Sequence, residues 1–306
     1  MIRTFLRGIN VSFLLLIIIS TFSSCANEMN VFEGNNNRQI NFSVSVPEWK
    51  NTDSLATTKI TRAMPVGGTI LSTSNTFNLI ADQNDGAGNY STLISSQAVS
   101  YTNNIWKTSN DYYWSGTANK TISFYAYYPS TISNISHTAG SSPTLSYTVP
   151  DNVSDQIDIM TATNNNVNGN TNSSTPLTFN HIFAAIQFSV GSAGIGSGTI
   201  SSISIGNVAN SGTYTFGSGW SNVTGSKAFT ISQSKTIAGT SGEDIYSGNY
   251  TLMMIPQDVN NITITVTYSN GGALTKTISG KWEAGKVYKY NLSYQPRDFA
   301  YTGTVQ

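Results

Sequence analysis

The chain has 306 residues, only 10% of which are charged, and its 15 basic and 15 acidic side chains leave a formal net charge of zero. Without a basic patch there is no electrostatic basis for binding nucleic acid, so that class of partner is excluded. Ser, Thr, Asn and Gly fill the polar positions, which favours strands and turns over long helices. The length predicts two domains.

The N-terminus has the pattern of an export signal. Two arginines in MIRTFLR precede an apolar run over Ile9–Ile19, which is shorter than the about 20 residues of a membrane span and typical of a signal peptide. Cys25 follows small residues directly after this run, and the arrangement resembles a bacterial lipobox in which Phe22 replaces the usual leucine. We predict a signal peptide over 1–24 and outer-membrane attachment through lipid on Cys25. The alternative is a signal peptide followed by a cysteine without that role.

After a polar tether, INFSVSV at 40–46 alternates strictly between apolar and polar residues. The pattern predicts a half-buried strand that ends before Pro47. Four apolar residues share its inward face: Ile40, Phe42, Val44 and Val46.

Arg62 lies in the next stretch, LATTKITRAMPVGG at 55–68. Small hydroxyl residues flank it, and the Pro and Gly residues that follow exclude a regular element. The segment is therefore either an ordinary surface loop or a segment open to a protease.

The remaining pattern is all-β, with short strands separated by turn residues, as in β-sandwiches. The polar stretch NNNVNGNTNSST at 164–175 predicts a linker or a long exposed loop and the boundary between two domains. The segment 177–190 has the pattern of either a short helix or a buried strand. The other predicted strands cover 76–80, 98–102, 112–116, 121–129, 144–150, 199–205, 212–216, 251–256, 261–269, 273–280 and 287–294.

Six segments lie in this order along the chain: TISFYAYYP, DIMTAT, PLTFNHIFAAIQFSV, ISIGNVANSGTYTFGSGW, YTLMMIPQ and KWEAGKVYKYNLSY. Together they resemble the fimbrillin family of Bacteroidetes, the subunits of lipoprotein-derived pili. The resemblance implies two tandem transthyretin-like β-sandwich domains after a lipoprotein signal peptide. The resulting division is 1–24 signal peptide, 25–62 lipidated propeptide with the first strand, 63–170 N-terminal sandwich, and 171–306 C-terminal sandwich with a candidate donor tail.

The resemblance also implies a role for Arg62. In polymerising fimbrillins an arginine-specific protease cuts a loop after the first strand, and a terminal strand of a neighbouring subunit fills the groove that opens. Here the cut would follow Arg62, Ala63 would become the N-terminus, and INFSVSV would be displaced. Unpaired strand edges and empty side-chain pockets favour such strand addition.

A donor strand is expected in the C-terminal stretch QPRDFAYTGTVQ. Phe299, Tyr301 and Val305 project to one side of a short strand, and Gly303 interrupts that face. We predict a polymerising subunit whose partners are other fimbrial subunits. The alternative is a subunit at the tip, which lacks a usable donor.

Few titratable groups are available for catalysis, and we predict no enzyme activity, no cofactor and no metal. His181 in FNHIFAA is predicted to be a hydrogen-bonded core histidine, and His137 lies in a Ser/Gly loop. DQNDGAGN at 82–89 is one residue short of a calcium loop, so a surface turn is predicted.

Aromatic residues are dense between Trp106 and Tyr128. We predict that alternate residues of TISFYAYYP at 121–129 fill a sandwich core while their neighbours line the other face of the strand. Exposed rings such as Trp106 and Trp114 would instead favour a surface glycan-binding lipoprotein, with a host or bacterial glycan or protein as ligand. A further alternative is an uncleaved lipoprotein that anchors the pilus. DSL at 53–55 resembles a short O-glycosylation site.

Overall fold

The computed structural model describes residues 39–51, 71–117, 119–169 and 174–294. Within these ranges the regular structure is strand, apart from two three-residue 3-10 turns at Val153–Asp155 and Gly248–Tyr250. The prediction of an all-β protein is confirmed. The described residues contain no helix that is long and apolar enough to cross a membrane.

In the part of the chain that the structure describes, eleven strands precede residue 182 and eleven follow it. The first set is β1 (Phe42–Ser45), β2 (Lys50–Asn51), β3 (Thr76–Asn84), β4 (Tyr90–Thr102), β5 (Ile105–Thr108), β6 (Thr121–Tyr128), β7 (Ile135–Ser136), β8 (Thr144–Thr148), β9 (Met160–Val167), β10 (Thr175–Thr178) and β11 (Asn180–His181). The second set is β12 (Ala184–Val190), β13 (Gly198–Val208), β14 (Ser211–Thr215), β15 (Gly219–Thr224), β16 (Lys227–Ile231), β17 (Lys235–Ile237), β18 (Asp244–Tyr246), β19 (Leu252–Met254), β20 (Asp258–Tyr268), β21 (Ala273–Lys281) and β22 (Lys286–Leu292).

The first sheet has eight strands in the order β10-β1-β5-β4-β3-β6-β9-β11. A two-residue hairpin turn joins β4 to β5, and its residues Asn103 and Asn104 have φ angles of 53° and 64°. Asparagine tolerates this left-handed conformation, which tight hairpins of this type require. β1 is not part of a hairpin, since it runs parallel to β10, a strand from a distant part of the chain.

β6 lies between two hydrophobic cores. Phe124 and Ala126 belong to the core that contains Phe42, whereas Tyr125 and Tyr127 belong to the core formed with the second half of the chain. Successive side chains of a strand point to opposite faces, so one strand contributes to both cores. The prediction that alternate residues of TISFYAYYP fill a core while their neighbours line the other face is confirmed.

The second sheet is built on β12, in which every residue is buried. β22 runs parallel beside it, in register from Ala185 opposite Val287 to Val190 opposite Leu292. β18 and β19 pair with its other edge, and β2 extends the sheet beyond β22. Strands buried on both faces have continuous apolar runs instead of alternation. For this reason the sequence did not distinguish helix from strand over 177–190, where the structure has strands.

The third sheet has the order β16-β13-β20-β21, with β17 also beside β13, and the fourth has the order β15-β14-β8-β7. β8 pairs with β14, which places Leu145 opposite Tyr214. The fourth sheet therefore joins strands from both sides of the predicted boundary at 170/171. β10 and β11 follow that boundary in sequence and lie in the first sheet. The division into domains stays a prediction.

Two local predictions were wrong. YYWSG at 112–116 is not a strand: only Tyr113 forms an isolated bridge, opposite Gln39. Its aromatic residues indicated a strand, but Trp114 lies in a loop and is nevertheless buried, because Gly169 leaves room for its indole. The predicted linker is a strand over its first four residues, since β9 continues to Val167 and pairs with β6. Tertiary pairing here outweighs the polar composition.

Candidate functional site: the seat of the N-terminal segment

Residues 39–51, here called the N-terminal segment, pass through two sheets. β1 lies in the first sheet between β10 and β5, and β2 lies in the second sheet beside β22. The surface that this segment covers is called the seat below. Residues 52–70, which include Arg62, follow the segment and lie outside the described residues.

The backbone of β1 is paired on both sides. Along β10 the amide of Thr175 donates to the carbonyl of Asn41 at 2.9 Å, and the amide of Phe179 donates to the carbonyl of Ser45 at 2.8 Å. On the opposite side the amide of Ile40 donates to the carbonyl of Tyr112 at 2.7 Å. Without β1, the partner groups on both sides would lack these hydrogen bonds, which is costly for buried backbone.

The side chains of β1 and of the residues on either side of it fill a hydrophobic slot. Ile40, Phe42 and Val46 are 2%, 4% and 1% exposed, and Val44 is half-buried. The Phe42 ring meets that of Phe124 on β6 edge to face, with centroids 5.4 Å apart. The slot is thus an apolar part of the first core that Ile40, Phe42 and Val46 fill.

Beyond β1 the segment is held by one histidine and one short strand. The imidazole of His181 stacks on the indole of Trp49, with centroids 4.2 Å apart and planes 26° apart, and its Nε2 lies 3.3 Å from the carbonyl oxygen of Pro47. The amide of Lys50 then donates to the carbonyl of Gly285 at 2.9 Å. The seat therefore continues from the first sheet to the edge of β22.

His181 is itself fixed by Asp158. Its Nδ1 lies 2.7 Å from Asp158 Oδ2, and both side chains are buried. Burial raises the pKa of Asp158 to about 6, although the hydrogen bond and charge of His181 act in the opposite direction. Asp158 Oδ1 has no hydrogen-bond partner among the described residues. The pair is thus a buried polar site directly beneath the N-terminal segment.

A family model described as fimbrillin-like matches residues 61–306. The chain belongs to the fimbrillin-like family. The resemblance predicted from six short segments is confirmed. The N-terminal segment lies upstream of the matched region, although it is integrated into both sheets. No curated protein matches the chain.

One solved structure shares the fold of this fimbrillin-like chain at low sequence identity, and two others are similar to the chain at lower TM-scores. A candidate cell adhesion protein from Bacteroides ovatus is 15% identical, with a TM-score of 0.56 over 84% of this chain and 92% of that one. Another from Bacteroides uniformis is 15% identical, with a TM-score of 0.48 over 85% and 95%. The tip fimbrial protein Mfa3 from Porphyromonas gingivalis is 10% identical, with a TM-score of 0.37 over 72% and 90%. The first of these supports the fold assignment.

The structure brings together some of the predicted site residues of this fimbrillin-like chain. The four apolar residues of INFSVSV lie in the seat, and their role as a displaced strand stays a prediction. The other predicted site residues lie outside the described residues: Cys25, Arg62, Ala63, Phe299, Tyr301 and Val305.

The dense aromatic residues are mainly core residues. Trp106 and Trp114 are 4% and 6% exposed, and both pack in the core beneath β1. Their rings therefore do not form an exposed stacking surface for a sugar. Tyr113 is exposed, but it lies alone at the bridge to Gln39.

Other polar predictions also have clear outcomes. His181 is a hydrogen-bonded core histidine, as predicted. Within DQNDGAGN, Asp82–Asn84 end strand β3 and Asp82 is buried, whereas residues 85–89 form the predicted surface turn. There Asp85 accepts hydrogen bonds from the side chain of Asn89 and from the amides of Ala87 and Asn89, and these hydrogen bonds lower its pKa. His137, predicted only as a loop residue, contacts the buried Asp82 at 2.9 Å. The described residues contain no group of three or more His, Cys, Asp or Glu placed to hold a metal.

The sequence pattern did not indicate the second half of the seat. WKN after Pro47 gave no strand signal, because β2 has only two residues and its partner β22 lies at the other end of the chain. The stacking of Trp49 on His181, which in turn contacts Asp158, was not predicted either. A buried histidine flanked by apolar residues was the available signal, and it did not identify the segment that the histidine holds.

Proposed function

We propose that the chain is a non-enzymatic structural subunit of a cell-surface fimbria. It is exported as a lipoprotein through Cys25, activated by an arginine-specific protease that cuts between Arg62 and Ala63, and assembled when a strand of another subunit enters the vacated seat. Before processing, the lipid holds it at the outer membrane. Its assembled form acts in adhesion to a glycan or protein.

The observation that supports this proposal most strongly is the position of β1. This strand lies between β10 and β5, yet it precedes both the predicted cut and the family-matched region. Within the described residues β1 forms no hairpin with a strand next to it in sequence. One of its neighbours is a parallel strand, and the other is an antiparallel strand from a distant part of the chain. Cleavage after Arg62 would therefore leave β1 held by non-covalent contacts alone.

The energetics favour replacement of β1 over an empty seat. Burial of Ile40, Phe42 and Val46 contributes about 1.5–3 kcal/mol for each side chain. Domain stability is about 5–15 kcal/mol in total, so loss of these residues removes a large part of it. A donor strand that fills the same slot restores both the burial and the hydrogen bonds.

The C-terminal tail has a spacing that fits the slot. Phe299, Tyr301 and Val305 have the same separations as Ile40, Phe42 and Val46, and Gly303 then corresponds to the half-buried Val44. Gly303, which has no side chain, thus falls at the position of the seat where the side chain of the N-terminal segment is least buried. We propose this register for the tail of a second subunit.

The test is intact-mass and N-terminal analysis of the protein recovered from the bacterial surface and from isolated fimbriae. Chains that begin at Ala63 in the fimbriae support processing and strand exchange. Acylated chains that begin at Cys25 in both fractions would contradict them and favour an uncleaved pilus anchor. An Arg62→Ala variant, which removes the cleavage site, should give only chains that begin at Cys25.

A further inference from the structure

His181 makes three contacts at once, and two of them are hydrogen bonds that each need a hydrogen. Its Nδ1 lies 2.7 Å from Asp158 Oδ2, its Nε2 lies 3.3 Å from the carbonyl oxygen of Pro47, and its ring stacks on Trp49. A backbone carbonyl only accepts hydrogen bonds, so Nε2 must carry a hydrogen to bind Pro47. The other contact needs one more hydrogen, placed either on Nδ1 or on the carboxyl oxygen.

The arrangement thus holds two hydrogens on the imidazole and carboxyl groups together. A neutral imidazole beside a carboxylate has only one. When the second proton leaves, the remaining hydrogen stays between His181 and Asp158, where the hydrogen bond is short and charge-assisted. The lone pair of Nε2 then faces the carbonyl oxygen of Pro47, and that contact becomes repulsive.

We infer that the His181–Asp158 pair is a proton-dependent anchor for residues 47–51. With its shared proton the pair holds Pro47 and Trp49 against the second half of the seat; without it, this half of the N-terminal segment is released while β1 remains in the first sheet. The anchor is a property of the unprocessed chain. Its consequence for activation, easier detachment of the segment at higher pH, rests on the proposed function.

The charge environment supports this inference. Burial raises the pKa of Asp158 to about 6 from an ordinary value of 3.8, even though the hydrogen bond and the charge of His181 act in the opposite direction. Because the folded-state pKa lies above the ordinary value, the stabilisation is complete below 3.8 and is lost as pH rises through about 6. The other ionisable groups near the pair are of three kinds. Glu48 and Lys50 lie on the segment. Asp258, Lys281 and Glu283 line the same cavity as His181, and Tyr128 and Tyr250 line the same cavity as Asp158.

The test is residue-resolved hydrogen–deuterium exchange of the unprocessed chain between pH 5 and 8, with rates corrected for intrinsic exchange. The Lys50 amide, which donates to Gly285, reports the anchored half, and the Ile40 amide, which donates to Tyr112, reports β1. We expect the opening constant at Lys50 to increase about tenfold between pH 5 and 8, because pH 5 lies about one unit below the pKa of Asp158, about 6. Opening at Ile40 should stay constant. No protease or polymer is present, so the result does not depend on whether the chain assembles.

Asp158→Asn separates proton dependence from packing. The Asn amide donates to Nδ1 while Nε2–H binds Pro47, so we expect the anchor to persist with a flat pH profile at Lys50. The matched control is Asp82→Asn in a second His–Asp pair, the partly buried His137–Asp82, which should keep the wild-type profile. Equal profiles in wild type and Asp158→Asn overturn the inference. If Asp158→Asn does not fold, a wild-type Lys50 profile without pH dependence overturns it.

Discussion

The ring of Phe42 meets the ring of Phe124 edge to face, with centroids 5.4 Å apart. Phe42 belongs to the N-terminal segment, and Phe124 belongs to β6 near the middle of the first sheet. The contact therefore joins the part of the chain that is expected to leave with a part that is expected to stay. Its strength determines how firmly the unprocessed subunit holds its first strand.

We expect Phe42→Ala to lower the free energy of unfolding of the unprocessed chain by about 3–5 kcal/mol, because it leaves a cavity in a buried slot. Ser43→Ala on the exposed face of the same strand is the control, and its effect should lie within about 0.5 kcal/mol. Denaturant unfolding at equilibrium gives both values. Equal effects of the two substitutions would show that the slot is not closed by Phe42.

Cleavage after Arg62 followed by removal of the N-terminal fragment should lower the melting temperature of the subunit. A synthetic peptide of residues 38–51 should raise it again in a concentration-dependent manner, because a ligand that binds the folded state stabilises it. The control peptide carries Phe42→Asp, which places a charge in the apolar slot. Equal stabilisation by both peptides would argue against a specific seat.

Deletion of Phe299–Gln306 should leave the monomer folded and abolish assembly of the processed subunit. The deleted residues provide the proposed donor strand, whereas the seat that receives it is intact. Electron microscopy and size-exclusion chromatography of the processed protein provide the measurement. The matched control is Thr302→Ala, on the opposite face of the proposed strand, which should still assemble. Fibres of normal length from the deleted chain would rule out the tail as donor.

We expect His181→Ala to destabilise the chain by about 3–5 kcal/mol at pH 8, because it leaves Asp158 as a buried carboxylate without its partner. The loss should be smaller at pH 4.5, where the carboxyl group is protonated: His181 lowers the pKa of Asp158, so its removal raises that pKa further above the ordinary value. Denaturant unfolding at the two pH values measures the difference. In the His181→Ala/Asp158→Asn double variant the pH dependence of the loss should disappear.

Gly169→Ala should destabilise the chain by about 1–3 kcal/mol, as expected for overpacking. A Cβ at this position would lie 2.0 Å from Trp114 Cδ2, and the indole is confined by the core. Gly206→Ala is the control, since its Cβ would meet only the Thr263 carbonyl oxygen, at an ordinary 3.9 Å. Thermal unfolding distinguishes the two. A neutral Gly169→Ala would mean that the Trp114 ring moves freely.

The sequence by itself determined the strand at INFSVSV, the face that its apolar residues share, and the family. Alternation with a period of two is a local property, so Ile40 and Phe42 could be placed on one face without knowledge of their neighbours. The same rule predicted that Phe124 and Tyr125 point to opposite faces of β6. The all-β class followed from many such local patterns.

Only the tertiary structure decided which strands flank β1 and how far the seat extends. Pro47 and His181 are 134 positions apart in sequence, yet their hydrogen bond holds the segment in place. No local period encodes such a partner, because pairing between distant strands depends on the packing of the whole sheet. For the same reason YYWSG was predicted as a strand, whereas the buried Trp114 lies in a loop supported by Gly169 from beyond β9.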